Sequence, residues 1–463
     1  MTNNLKRTYV EDLAAYILNT RFENISESLL ENAKNRIIDV TGCSIGGAKA
    51  AGNSALVDLV KSWEGKEEST IFGYGGKVPS QNAAMVNSIM ARSFDFEVVG
   101  SIVEGEWIGS HISGTTVITA IAMGEVAGIN GKELITALLV GDNAAARIVA
   151  SSGFNPNEAW DCTGTVNAFG ATAIAGRILG LNELQMRNAF GIVLNCLAGS
   201  QQSCWDGATT FKMQEGTSSR NGIFAAQLAK AGWTGTEDAM FSRYGYYNMY
   251  TKGCINPEIL TKELGEKFYT EGHFKPYPCC GGLHAAIDCA LAITDTHDIK
   301  INDIEEIILY ASQIGANGFF AQPFKIGPFP HGNAAFNLRY VIANTLLRKS
   351  VKPEHFSDES IRDPEINSIV SRITINESSE TTMLGAMLKI KMKGGQEFNT
   401  SVDFPDGYPF SNPMSKDRIL NKFRANIDFS QMVSMDNAEE FLNLMEHLEE
   451  LDNIRDIVKL LVP

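Results

Sequence analysis

Apolar residues recur at helical spacing through roughly the first 265 positions, and strand-like alternation is nearly absent there. The spacing predicts two amphipathic helices within residues 9–47, a third over 53–63 and a fourth over 79–97. Further helices are expected over 117–126, 131–151, 163–181, 182–200 and 217–231. Two of these segments, read AFGATAIAGRILGL and AFGIVLNCLAGS, are rich in Ala and Gly, so their backbones are expected to pack closely in a tight bundle. The pattern then changes. Residues 304–310, 372–375, 387–393 and 396–403 read as strands, the last two joined through Gly394-Gly395 as a hairpin, with a helix over 333–347 between them. From Asn412 the chain reads as helix to its end. The expected fold is therefore mainly α: a large helical domain from residues 1–267 and 401–463, with a smaller α+β lid domain, 268–400, inserted before the C-terminal helices.

The stretch at the change of pattern, HFKPYPCCGGLHAAID from His273 to Asp288, stands apart. Pro276 and Pro278 fix φ and remove two backbone donors, which excludes helix and central strand. Gly281 and Gly282 release the backbone before an apolar helix begins. A stiff loop that delivers polar side chains to a helix start reads either as an anion site or as a Pro-rich connector between domains.

Composition narrows the function classes. A formal net charge of −15 argues against a nucleic-acid or anionic-membrane surface, and an anionic substrate would need its own local cations. No apolar run reaches about 18 residues, so no membrane span is expected, and the N-terminal segment lacks a signal-peptide core. The eight cysteines form no Cys-x-x-Cys pair, which points to reduced thiols in a cytoplasmic protein rather than a disulfide framework, a zinc site or an iron–sulfur cluster. The Gly-rich run at 73–76 has neither the lysine nor the preceding strand of a phosphate loop.

Several segments, in order, resemble the MmgE/PrpD family of 2-methylcitrate dehydratases, cis-aconitate decarboxylases and an iminodisuccinate epimerase. They are Asp39-Val40-Thr41-Gly42, Ser93-Phe94-Asp95-Phe96-Glu97, Ser110-His111-Ile112-Ser113-Gly114, Lys275-Pro276-Tyr277-Pro278-Cys279-Cys280 with His284, Phe404-Pro405-Asp406-Gly407, and Asn412-Pro413-Met414-Ser415. The resemblance runs nearly end to end. It implies a homodimer with a cofactor-free and metal-free site between a helical domain and a lid, acting on a small di- or tricarboxylate.

Carried over residue by residue, the resemblance makes His111, Asp95, Lys212 and Cys280 the expected catalytic residues. Lys275, Ser113, Tyr277 and His331 are the expected substrate-binding set. A histidine suits proton transfer near neutral pH, and lysine point charges suit a carboxylate whose α-proton is leaving. Each residue also has a plainer reading: a self-capping histidine, a helix-end carboxylate, surface lysines, a small buried thiol. Departures from the family pattern stand at Glu97, where a second aspartate is usual, and in the lengthened loop after Asp95. Others are Met213-Gln214-Glu215, where relatives carry a histidine, and Cys280, where the decarboxylases carry another. These changes favour dehydratase-like lyase chemistry, or epimerisation, over decarboxylation of cis-aconitate. A metal-dependent hydratase built on Cys279 and Cys280 is disfavoured because adjacent cysteines do not ligate one ion comfortably. A non-catalytic carboxylate binder is the remaining alternative. A thiol at Cys280 would shuttle protons only if Lys275 or the helix start lowered its pKa.

Overall fold

The computed structural model describes residues 7–155 and 160–463; the first six residues of the predicted opening segment lie outside these. Helices dominate, and the reasons are local. Thr8 and Glu11 form a reciprocal cap on the helix Tyr9–Asn19, Ser26 caps Glu27–Gly47, and Asn130 caps Gly131–Ala150. The small-residue helices pack closely, as their sequence predicts. A Cβ on Gly141 would sit 3.0 Å from the carbonyl of Gly170 on the Cys162–Ile178 helix, so only glycine lets these two backbones meet.

The C-terminal region holds a four-stranded sheet in the order Ile373–Glu377, Ile304–Ala311, Ala386–Met392, Glu397–Val402, with the first pair parallel and the others antiparallel. The hairpin turns at Gly394-Gly395, where Gly395 has φ 84°. Ile307, Leu309, Leu388 and Ile390 point to one face, which the helices His284–Thr296 and Leu338–Arg348 cover to make a second hydrophobic core. The first core belongs to the helical region, and the C-terminal helices return to it through Ile419, Phe423, Phe441 and Ile457. Phe94, Phe96 and Phe211 come from the helical region yet pack into the second core, so the segment around them ties the two together.

Five expectations change. The stretch before residue 265 contains two small antiparallel strand pairs, Ser69–Thr70 with Lys77–Val78 and Ser101–Val103 with Glu106–Ile108. These strands are too short to give a periodic signal. The helix predicted over 333–347 is two, Pro330–Ala335 and Leu338–Arg348, because Asn337 turns out of helical geometry and its side chain caps the amides of Arg339 and Tyr340. The helix expected to start at Thr217 starts at Met213, while the one predicted over 182–200 gives way to a 3₁₀ turn after Val193. The helix predicted over 79–97 stops at Ala91, and that early stop builds the site.

Candidate active site

After Ala91 the chain makes one 3₁₀ turn, Arg92–Phe94, and Asp95 then adopts left-handed backbone geometry at φ 48°. A non-glycine residue there is strained, and such strain persists only where the surroundings hold it. Here they do. The Asp95 carboxylate receives hydrogen bonds from the Arg92 guanidinium and the Lys275 ammonium, and Lys275 Nζ also donates to the Asp95 carbonyl at 2.6 Å.

Four residues further on, Val99 pairs antiparallel with His273, through N–H···O bonds of 3.0 and 2.8 Å. That register aligns Glu97 with Lys275, which is how the stiff Pro-rich loop reaches the acidic segment. The Val98 amide donates to Asp39 Oδ2 at 2.8 Å, anchoring the strand-like piece on the early Glu27–Gly47 helix.

The short hairpin Ser101–Ile108 then returns the chain to Ser110, whose carbonyl accepts from the Gly100 amide at 2.7 Å. His111 stands at the start of the Ile112–Ala127 helix and makes no side-chain cap. Its Nδ1 is 2.8 Å from Glu97 Oε1, and its Nε2 is 3.4 Å from Arg92 Nη2. A carboxylate on Nδ1 fixes the imidazole tautomer with the lone pair on Nε2, where it accepts a long hydrogen bond from Arg92. Asn167 Nδ2 donates to the His111 carbonyl at 2.6 Å and holds the ring's backbone in place.

Asp95, Glu97, Arg92 and Lys275 are all buried. Burial alone would raise both carboxylates, but Arg92 and then Lys275 outweigh it and hold each below the ordinary carboxylate range. Burial likewise works against the Lys275 charge, and Asp95 and Glu97 overcome it, so its pKa is raised.

Glu215, in the first turn of the Met213–Lys230 helix, behaves oppositely. Burial first, and then the neighbouring Glu97, push it well above its usual value, against Arg92, whose Nε is 3.9 Å away. Its surroundings therefore favour the protonated carboxyl, the opposite of Asp95 and Glu97. Gly114 exists to admit it: a Cβ there would lie 2.1 Å from Glu215 Oε2.

A cavity of about 620 Å³ opens over this cluster and is lined by Arg92, His111, Lys275, Cys280, Asp161 and an aromatic wall. Of the expected site residues, His111, Lys275 and Cys280 line it, with Asp95 directly behind. The other four do not. Lys212 donates to the Ala51 carbonyl at 2.7 Å and to Asn53 Oδ1 at 2.8 Å, and burial lowers its pKa to about 7. His331 bonds the Ser93 carbonyl at 2.7 Å and stacks near Phe94, and burial, then Lys212, take it down to about 4. Ser113 accepts from Arg36, and Tyr277 donates to Asp288 at 2.7 Å. Cys280 faces the cavity, but burial and then Asp95 push its thiol up to about 12 despite Lys275, so the lowered pKa that base chemistry would need is not there.

Arg92 is the central group that sequence reasoning passed over. Its signal was present: an arginine at the end of the apolar run Ala83–Ala91, three residues before Asp95. Asp95, Glu97 and His111 also bring donor atoms within 4.8 Å of one another, near enough to hold an ion. Arg92 and Lys275 already occupy Asp95 Oδ1, and a further cation would stand beside two buried positive charges, so these residues fit a metal poorly.

A buried carboxylate paired with a partly exposed histidine thus lies under a cavity, on a mainly helical frame with a small α+β region, an arrangement able to take and return a proton. The chain belongs to the MmgE/PrpD family: residues 11–257 match its N-terminal domain and residues 277–450 its C-terminal domain. It is 24% identical to a cis-aconitate decarboxylase of Aspergillus terreus, over 99% of this chain and 97% of that protein. It is 23% identical to the cis-aconitate decarboxylase of Mus musculus, over 98% and 93%. A cis-aconitate decarboxylase-like protein of Aspergillus oryzae shares 21%. Among the described residues no helix is long and apolar enough to cross a membrane.

Proposed function

We propose that this protein is a lyase that removes a proton from the carbon next to a carboxylate, with His111 Nε2 as the base and Glu97 as the group that orients it. The observation carrying this is the 2.8 Å contact from Glu97 to His111 Nδ1, with Nε2 turned toward Arg92 at the cavity floor. Arg92 is placed to hold a substrate carboxylate beside the imidazole, and Lys275 supplies fixed positive potential as charge builds on that carboxylate. The lyase names of the family relatives support elimination chemistry. Cys280 faces the cavity as a thiol that burial and Asp95 hold protonated, so it lines the site without acting as the base.

The test is exchange of the α-proton in deuterium oxide, followed by proton NMR over a panel of carboxylates. His111→Ala is expected to slow exchange about 10²–10⁴-fold, the range for loss of a positioned base. Exchange at the wild-type rate in that variant would falsify the assignment.

A further inference from the structure

We infer that the cavity selects a carboxylic acid of low charge that carries an apolar arm, in preference to a small compound with two or three carboxylates. This deepens the function proposed above and rests on the same cavity and the same His111.

The charge balance comes first. Among the described residues that line the cavity, the fixed cations are Arg92 and Lys275 and the acids are Glu104, Glu106 and Asp161. Both cations are already engaged: Lys275 and Arg92 share Asp95, and Arg92 Nη1 is 3.5 Å from Glu97. The ammonium groups of Lys262 and Lys267 close on Glu104 and are not part of the lining. A tricarboxylate would bring three negative charges to a site with no surplus of positive ones, and like-charge juxtaposition in a partly desolvated site opposes binding. Arg92 Nε is buried and 3.9 Å from Glu215 Oε1, so it adds no donor for a second or third carboxylate.

The shape agrees. Trp107, Ile108, Phe319, Phe320, Phe336 and Met383 give the cavity an apolar wall. Phe319 contacts the other two phenylalanines, with ring centroids 4.0 Å apart for Phe319–Phe320 and 5.7 Å for Phe319–Phe336. A second or third carboxylate against this wall would be buried without a donor, which is costly, whereas an alkyl or aryl arm fits it. The Gly281-Gly282 pair makes room for the wall, since a Cβ on Gly282 would stand 3.0 Å from Phe320 Cζ. A volume of about 620 Å³ lies within the range of roughly 300–1,000 Å³ typical of pockets that enclose larger organic ligands, and exceeds what a small tricarboxylate fills.

Isothermal titration of the full chain near neutral pH with 4-phenylbutyrate, succinate and tricarballylate tests this. 4-Phenylbutyrate is expected to bind at least about tenfold more tightly than tricarballylate, a gap of roughly 1.4 kcal/mol. Phe320→Ala should erase most of that advantage, and Phe320→Lys should narrow it by strengthening tricarballylate. Equal or tighter binding of tricarballylate to the wild type, or no binding of 4-phenylbutyrate, overturns the inference. The two proposals separate cleanly. Exchange that favours tricarboxylates leaves the lyase standing and removes the apolar arm, and 4-phenylbutyrate binding without exchange on any acid does the reverse.

Discussion

Lys275 and Lys212 are both buried lysines, yet their surroundings give them opposite characters. Lys275 lies against Asp95 and near Glu97, and its charge is stabilised; Lys212 donates only to neutral oxygens, and burial takes its pKa down to about 7. Family resemblance gives both the task of holding a substrate carboxylate. In the structure Lys275 comes with its counter-anions in place and lines the cavity, while Lys212 bonds the Ala51–Asn53 turn and does not. The lesson is that a buried lysine is a cation only where the fold also supplies an anion.

The comparison breaks most visibly at Lys275. Lys275→Met leaves Asp95 and Glu97 with Arg92 as their one fixed cation, and stability is expected to fall by about 3–5 kcal/mol, the cost of stranding a buried charge. Urea unfolding measures it, and a loss under about 1 kcal/mol would show that Lys275 is not essential to the cluster.

Next in size is the contact that admits Glu215. Gly114→Ala pushes a methyl into that carboxyl and is expected to cost about 1–3 kcal/mol, as overpacking does. Combining it with Glu215→Ala should recover part of the loss; strictly additive effects in the double mutant would mean the two sites do not touch.

Lys212→Met should behave differently from Lys275→Met in sign as well as size. The folded pKa of Lys212, about 7, lies below its ordinary value of 10.5, so between these the unfolded chain binds more protons. The wild type therefore gains stability as pH rises from about 7 toward 10.5, and its unfavourable charging is fully felt below 7. Thermal unfolding of the two proteins side by side should show the variant faring best at pH 6 and losing ground as the pH rises. A pH-independent difference would mean that Lys212 has an ion partner in solution.

The smallest effect is expected for Glu215→Gln. Burial and then Glu97 raise the folded pKa of Glu215, so ionisation in the unfolded state draws against the folded protein above about 4.5. The amide should be neutral or slightly stabilising at pH 7–8, with the difference vanishing near pH 4. Marked destabilisation at pH 7 would show that the carboxylate form is the one the fold uses.

Much of the frame was legible along the chain because it depends on neighbours in sequence. The helical periodicity, the Ser, Thr and Asn caps, the strand pattern after residue 300 and the stiffness of Lys275-Pro276-Tyr277-Pro278 are all local. The hairpin at 101–108 was too short to leave a period, and Asn337 broke a helix by a side-chain cap that competes with propensity. His111, Asp95, Lys275 and Cys280 were singled out by motif and do come together. Arg92 was not: Asp95 lies three residues on, but His111 and Glu215 approach it from segments distant in sequence.

The sequence by itself determined the class of fold, the order of its elements and the residue types available for acid–base chemistry. Tertiary structure decided which of them carry charge. Asp95 and Glu97 are held toward the charged form, Glu215 and Cys280 toward the protonated form, and Lys212 loses much of its hold on a proton, although all five are buried or nearly so. Desolvation is common to them, and the difference lies in Arg92 and Lys275, brought to Asp95 and Glu97 by one left-handed residue and one antiparallel bridge. Ionisation depends on charges a few ångströms away in space, and no local pattern encodes that distance.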